Sequence, residues 1–267
     1  MNGGRVCWGD AVTSLDRAVL VSNARGGSPF VLVCDHASNR IPEPYGDLGL
    51  SQTERVSHIA WDPGALSVSR ALSERLDAPL VQSRVSRLVI DANRDLDAPD
   101  LIWTLSEQTR IAANECLDAD ERQRRIDRFW RPYHSAIATL LESRRHAGQD
   151  TVLVCIHSFT PVYHGVPRPW PIGVIHGHDP RFTSALRTGL LDADPQLNVG
   201  WNQPYAGLAG TSYTLEKHGD GNGLQATMIE IRHDEILDLT GVGRWSERLA
   251  RALEAARLAR RNGLTNH

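Results

Sequence analysis

The 267-residue chain is poor in cysteine and has no two cysteines close together. Cys7, Cys34, Cys116 and Cys155 form no Cys-x-x-Cys pair, which argues against a cysteine zinc cluster. Cys34 and Cys155 sit inside the apolar runs Phe30–Cys34 and Val152–Ile156. They read as buried free thiols on strands, which suits a reducing cytoplasm. Neither charge is in excess: the formal net charge is −3, so the footprint of a nucleic-acid binder is missing. No apolar stretch approaches the length that spans a bilayer, and no membrane partner is expected. The start, MNGGRVCWGD, has no basic segment followed by an apolar core, so a secretory signal is not expected. Repeats and low-complexity blocks are absent too.

What is present is a recurring short β-branched run followed by a longer helical stretch. The expected strands are Ala18–Ser22, Phe30–Cys34, Leu80–Ser83, Leu88–Asp91, Val152–Ile156, Ile172–Ile175, Val199–Asn202 and Thr227–Ile231. They are continuous apolar runs, as strands covered on both faces should be. Between them, Ser51–Ala60 opens on a capping box of Ser51 and Glu54. A second helix starts at Asp62-Pro63 and runs to Leu76, with Asp62 as N-cap. Asp118–Ala147 is long and amphipathic, with a kink expected at Pro132. Pro180–Leu191 and Arg244–Arg261 complete the set; the basic face of the last reads as solvated surface. Strands alternating with helices, without a linker, predict a single α/β domain over residues 1–267. Its architecture is a three-layer αβα fold with a central, mainly parallel, mixed sheet. The irregular stretches Asn93–Gln108, Ser158–Pro171 and Trp201–Gly210 hold many of the Pro, Trp and His residues and are where a site is expected.

Two strands deliver a histidine at their carboxyl ends: His36 follows Phe30–Cys34 and Asp35, and His157 follows Val152–Ile156. Ligands bind at that edge in open α/β sheets. Two imidazoles and one acid make an open catalytic zinc site. Asp62 is the candidate acid, with His58 as an alternative ligand and Asn39 a poor substitute for a carboxylate. Arg94 beside Asn93 suits a planar substrate carboxylate, because the guanidinium fork bonds both oxygens. Arg87 is a separate candidate for polarising a carbonyl or holding a second carboxylate, or for a structural salt bridge with Asp91, Asp95 or Asp97. Glu230 lies inside an apolar strand, where an ionised carboxylate is costly unless it is paired or has a task. Near a metal it would take a proton from water and pass it to a leaving amine. Arg168, Asn202 and Tyr205 are candidate substrate contacts.

The stretches VLVCDHASNRIP, HIAWDPGA, SRLVIDANRDLDAPDLI, IHSFTPVYHG with RPWPIGVIH, NQPYAG and IEIRHDEI together resemble the N-formylglutamate amidohydrolase family. They run in order from about residue 30 to residue 236. The same residues more distantly resemble the zinc carboxypeptidase architecture, a phosphorylase/hydrolase-like fold. There the first ligand motif is His-x-x-Glu, whereas this chain has His36-Ala-Ser-Asn39. The resemblance implies a hydrolase holding one divalent metal, zinc by preference, on His36, Asp62 and His157. It implies Glu230 as general base then acid, Arg87 at the oxyanion, and Asn93 with Arg94 on an α-carboxylate. The implied reaction converts N-formyl-L-glutamate to formate and L-glutamate in histidine breakdown, in the cytoplasm, on a small-molecule substrate. The alternatives are a deacylase for another N-acyl amino acid, a carboxypeptidase-like peptidase, or a metal-free binding protein for an acidic ligand.

Overall fold

The computed structural model describes residues 17–205 and 212–264, with side chains to residue 259. Cys7, the tail of NQPYAG and the last side chains of the C-terminal helix lie outside them. The elements are β1 (Val19–Ser22), β2 (Phe30–Cys34), α1 (Gln52–Val56), α2 (Ala65–Leu76) and β3 (Leu80–Ser83). The hairpin β4 (Leu105–Ser106)–β5 (Thr109–Arg110), α3 (Ala119–Arg125) and α4 (Arg131–His146) follow. Then come β6 (Val152–Phe159), the hairpin β7 (Val162–Tyr163)–β8 (Val166–Pro167), β9 (Ile172–His176) and α5 (Arg181–Ala193). The chain continues through β10 (Val199–Trp201), β11 (Gln225–Arg232) and α6 (Leu239–Leu264).

Seven strands form one sheet in the order β1-β3-β2-β6-β11-β9-β10. β2 pairs in parallel with both β3 and β6, β6 with β11, and β9 with β10. The pairs β1/β3 and β11/β9 are antiparallel. The expected mixed, mostly parallel α/β sheet is therefore what forms. Alternate side chains divide between two faces. Phe30, Leu32 and Cys34 pack with Leu186, Trp245 and Leu249 under α2, α5 and α6. Val31 and Val33 join Cys155 and Met228 beneath Tyr133, Ile137 and Leu141 of α4. Burial on both sides explains why these strands read as unbroken apolar runs. Cys34 and Cys155 are buried free thiols, as expected, and Cys116 is exposed.

Several local expectations are corrected. Leu88–Asp91 is not a strand; it belongs to a folded loop, 88–94, in which side chains rather than a neighbouring strand bond several of the carbonyls. Asn114 donates to Leu88 O (2.8 Å), Arg125 to Val89 O (3.0 Å), His134 to Ala92 O (2.9 Å) and Trp130 to Arg94 O (3.0 Å). Its apolar side chains fill a separate core with Leu48, Ile111 and Phe129. The apolar run is buried as expected, but its backbone is not paired as a strand.

The Ser51 capping box with Glu54 is present, but α1 stops at Val56. Asp62 does not cap α2. Gly64 takes that position with φ 81°, and a Cβ there would meet Ile236 O at 2.5 Å, so glycine is required. The long helix is interrupted: after α3, residues Ile126–Trp130 form a π turn, and α4 restarts at Arg131 with Pro132 in its first turn. Proline has no N–H to give the preceding turn, and the wider turn absorbs the missing bond without a break. α6 begins earlier than expected, at Leu239. The hairpin β7–β8 turns on His164 (φ 47°) and Gly165 (φ 76°), a two-residue turn with both φ positive.

Candidate active site

β2 and β6 are neighbours, so the chain leaving β2 and the end of β6 meet at one edge of the sheet. β11 lies on the far side of β6, and its Glu230 is directly beside His157. Asp62 arrives from the turn before α2, held through its N–H to His36 O (3.0 Å). His36, Asp62 and His157 are all buried, and one ligand atom from each falls within 4.8 Å of the others. Neither His58 nor Asn39 joins them. His58 faces Glu107 (2.7 Å), and Asn39 donates to Arg55 O (3.0 Å).

The orientation of the two rings is specific. His36 Nε2 meets Asp91 Oδ1 at 2.7 Å, and His157 Nε2 meets Asp35 Oδ2 at 2.9 Å. Both Nδ1 atoms turn the other way, toward Asp62 Oδ2, at 3.4 Å from His36 and 2.9 Å from His157. Holding Nε2–H against a carboxylate fixes the tautomer and leaves the Nδ1 lone pair facing inward. Two Nδ1 atoms and a carboxylate then converge, a donor set that a cation between them would satisfy. Among the described residues His36 Nδ1 has no hydrogen-bond partner, which is what a position intended for a metal bond looks like. The residues present therefore fit a divalent metal.

The supporting carboxylates are themselves supported. Asp35 Oδ1 accepts from Tyr133 (2.8 Å) and Thr214 (2.6 Å). Asp91 Oδ2 accepts from Arg87 (2.9 Å) and Trp103 (3.0 Å), and Asp91 Oδ1 from Asn93 N (2.9 Å). Burial alone would raise the Asp35 carboxyl, but the bond from His157 and the charges of both histidines hold it at about 2. Asp62 and Asp91 are likewise lowered: against burial, His36 and His157 act on Asp62, and Arg87 and His36 on Asp91. The two histidines are raised. Burial would lower both, and Arg87 would lower His36, but Asp91 and Asp62 outweigh this at His36 and Asp35 and Asp62 at His157.

A cleft of about 430 Å³ opens over this cluster, a size suited to a small molecule. Glu230 lines it while only 3 % exposed, and among the described residues its Oε2 has no partner. Burial, with Asp62 adding to it, pushes its carboxyl up to about 7 against the pull of His157, His36 and Arg168. Arg87, Asn93, Arg94, Arg168 and Tyr205 also line the cleft. Arg87 lies 3.7 Å from Asp62 as well as bonding Asp91. Arg94 bonds Asp100 (2.8 Å), and its guanidinium lies over Trp103, as does that of Arg87. Asn93 Oδ1 accepts from Thr214 N (3.0 Å). Burial raises the Tyr205 hydroxyl, with Glu230 adding to it, so the phenol stays protonated.

Asn202 is not brought to the cleft. It sits in a different depression, where its side chain bonds His176 N (3.2 Å) and His176 Nε2 (3.0 Å). One wall does depend on its neighbour: a Cβ on Gly173, the β9 residue beside Glu230, would lie 1.8 Å from Gln203 O. Only glycine lets the Gln203–Pro204 segment close against the sheet and carry Tyr205 to the cleft.

Sequence reasoning gave no role to Asp35, and it treated Asp91 only as a salt-bridge partner. Each supports the histidine of a strand end. Asp35 had a signal, since it follows a strand and precedes His36, yet it serves His157 on the neighbouring strand. The β7–β8 hairpin was also missed, although His164-Gly165 between two short β-prone pairs is a hairpin signature.

A mixed α/β sheet with a buried His–Asp–His cluster and a shielded glutamate at one edge defines a candidate metal-site hydrolase. The sequence profile of the N-formylglutamate amidohydrolase family matches residues 28–237, and the chain belongs to that family. Among solved structures, the gene product Atu2144 of Agrobacterium tumefaciens is 40% identical. That alignment covers 92% of this chain and 97% of that one, with a TM-score of 0.89. An N-formylglutamate amidohydrolase from Ralstonia eutropha JMP134 shares the fold at 21% identity and a TM-score of 0.68. It covers 92% of this chain and 99% of its own. A search of curated proteins gives no match. Among the described residues, no helix is long and apolar enough to cross a membrane.

Proposed function

We propose that this protein hydrolyses the amide of an N-acyl amino acid, with N-formyl-L-glutamate as the first candidate, releasing formate and L-glutamate. One observation carries the reading: Glu230 is buried, unpartnered at Oε2 and adjacent to the His36–Asp62–His157 cluster. A carboxylate kept dry with a free oxygen serves proton transfer better than it serves stability. A divalent metal, zinc by its preference for such donors, would be held by the Nδ1 atoms of His36 and His157 and by Asp62. It would supply Lewis-acid polarisation and lower the pKa of water near it.

The chain's own residues do the rest. Glu230 takes a proton as water adds to the formyl carbon. It returns that proton to the nitrogen as the C–N bond breaks, so formate and a free amine leave. Arg87, fixed by Asp91, faces the cleft and stabilises negative charge growing on the carbonyl oxygen. Asn93 and Arg94 hold the α-carboxylate beside the reacting amide. The buried position of the cluster limits competing water.

The test is amine release from N-formyl, N-acetyl and N-succinyl amino acids by zinc-loaded protein, with Glu230→Gln beside the wild type. Hydrolysis is expected to favour the N-formyl series. Glu230→Gln should keep the metal and lose roughly 10²- to 10⁴-fold in kcat, the usual contribution of a positioned acid–base. A fully active Glu230→Gln protein would remove this assignment.

A further inference from the structure

The bonds behind His36 and His157 meet at a residue to which the proposed reaction gives no role. His36 Nε2 meets Asp91 Oδ1 (2.7 Å), and the same oxygen accepts from Asn93 N (2.9 Å). Asn93 Oδ1 in turn accepts from Thr214 N (3.0 Å), and Thr214 Oγ1 donates to Asp35 Oδ1 (2.6 Å). Asp35 Oδ2 then meets His157 Nε2 (2.9 Å). A continuous run of hydrogen bonds therefore passes from one ring to the other. Asn93, which lines the cleft, lies in the middle of it.

Thr214 is completely buried, where a hydroxyl is tolerated because it is bonded. Its bond goes to an ionised carboxylate, which makes it one of the stronger kind. The backbone of Thr214 is held as well. It stands at the head of the π turn Leu215–Gly219, and Leu215 packs with Tyr133 and Ile137 of α4. His218 of the same turn donates to His134, which donates to Ala92 O. The turn thus grips the loop 88–94 at two adjoining residues, Ala92 and Asn93. With Oδ1 committed to Thr214 N, the planar Asn93 amide meets an anion with its NH2 end. In a close-packed interior, a shift of Asn93 is passed to Thr214 and from there to Asp35.

We propose that Thr214 is a positioning residue that couples the two halves of the site, so that a carboxylate held by Asn93 and a metal held by His157 strengthen one another. This rests on the hydrolase reading above, which puts the α-carboxylate on Asn93 and Arg94. Such coupling is reciprocal: the factor by which the metal tightens the ligand is the factor by which the ligand tightens the metal. Thr214 is not part of the cleft lining and acts through Asp35 and Asn93.

The test measures zinc affinity, with free zinc set by a chelator, in the absence and presence of saturating L-glutamate. Glutamate is chosen because it carries the α-carboxylate and is not consumed. The wild type should bind zinc roughly 10-fold more tightly with glutamate present. Thr214→Val removes only the bond to Asp35 and keeps the backbone bond to Asn93. It should weaken zinc alone roughly 10-fold and lose most of the gain from glutamate. Thr214→Ser should restore both. Asn93→Ala leaves Thr214 N unmatched and should weaken zinc about 3- to 10-fold, although Asn93 touches neither histidine. A wild type whose zinc affinity is the same with and without glutamate overturns the proposal. So does a valine variant that keeps the gain, a serine variant no better than valine, or an Asn93→Ala protein with unchanged zinc affinity. A wild type that shows the coupling through Thr214 but cleaves no N-acyl amino acid would overturn only the hydrolase reading.

Discussion

Two pairs of histidines lie in the interior of this protein, and they are tuned in opposite directions. His36 and His157 meet edge to face with ring centroids 5.0 Å apart. His134 and His218 stack at 5.2 Å. The first pair is surrounded by Asp35, Asp62 and Asp91, and both its members are raised above the ordinary histidine range. Among the described residues no acid bonds the second pair, and Asp35 raises it only from a distance. Burial pulls His134 and His218 each down to about 4, with His218 adding to the effect on His134. Its hydrogen bonds fix the tautomers. His134 Nε2–H donates to Ala92 O, so its Nδ1 is an acceptor and His218 Nε2–H donates to it. The same side chain at the same depth is made easier to charge in one place and is kept neutral in the other. The difference lies in the partner, acid or carbonyl, more than in burial.

The sharpest way to break this contrast is to remove the first pair. His36→Ala/His157→Ala should lose both bound metal and turnover, read by elemental analysis and by the amine-release assay. Retention of the metal would mean that the cluster is structural. A smaller effect is expected from Asp91→Asn, which keeps the shape but weakens the grip on His36 Nε2. Metal affinity should fall about 10- to 100-fold. An unchanged affinity in a competition titration would show that the carboxylate merely orders the loop.

The smallest effect belongs to the second pair. His134→Phe should leave metal content unaltered and cost on the order of 1–3 kcal/mol in chemical unfolding, because Ala92 O loses its buried donor. The pair also sets a pH dependence. Its folded pKa values lie below the unfolded value of about 6.5, so between about 6.5 and about 4 the unfolded chain binds protons that the folded chain refuses. Stability linked to the pair is full above that window and is lost as pH falls through it. Urea titrations across the window should show a shallower decline in His134→Phe. An equal decline would place the dependence elsewhere.

The sequence made strand ends legible because a parallel sheet buries both faces and writes each strand as an apolar run. His36, His157 and Glu230 stood out against that background. Asp62 was harder to read, since a carboxylate before Pro-Gly serves equally well as a helix cap. The loop 88–94 was misread for a similar reason. Val-Ile apolarity reports burial, and nothing local tells that Asn114, Arg125, Trp130 and His134 from elsewhere would take the place of a neighbouring strand. Asn202 follows a strand as the histidines of the candidate site do, but β10 is an edge strand, distant in sheet order from β2 and β6.

The π turn at Ile126–Trp130 has a consequence for how this protein can change over generations. Arg125, Trp130 and His134 all donate to loop carbonyls, at spacings of five and then four residues. Only a turn widened by one residue brings the first interval onto the same side of a helix. Deleting a single residue from 126–129 would restore ordinary α spacing. The interval would then be four residues and Arg125 would stay on the side of the donors that follow it, whereas all five residues in plain α geometry would turn it about 100° away. The loop that carries Asp91, Asn93 and Arg94 therefore depends on the extra residue being taken up as a wide turn, and a change that straightened the turn at full length would unseat it.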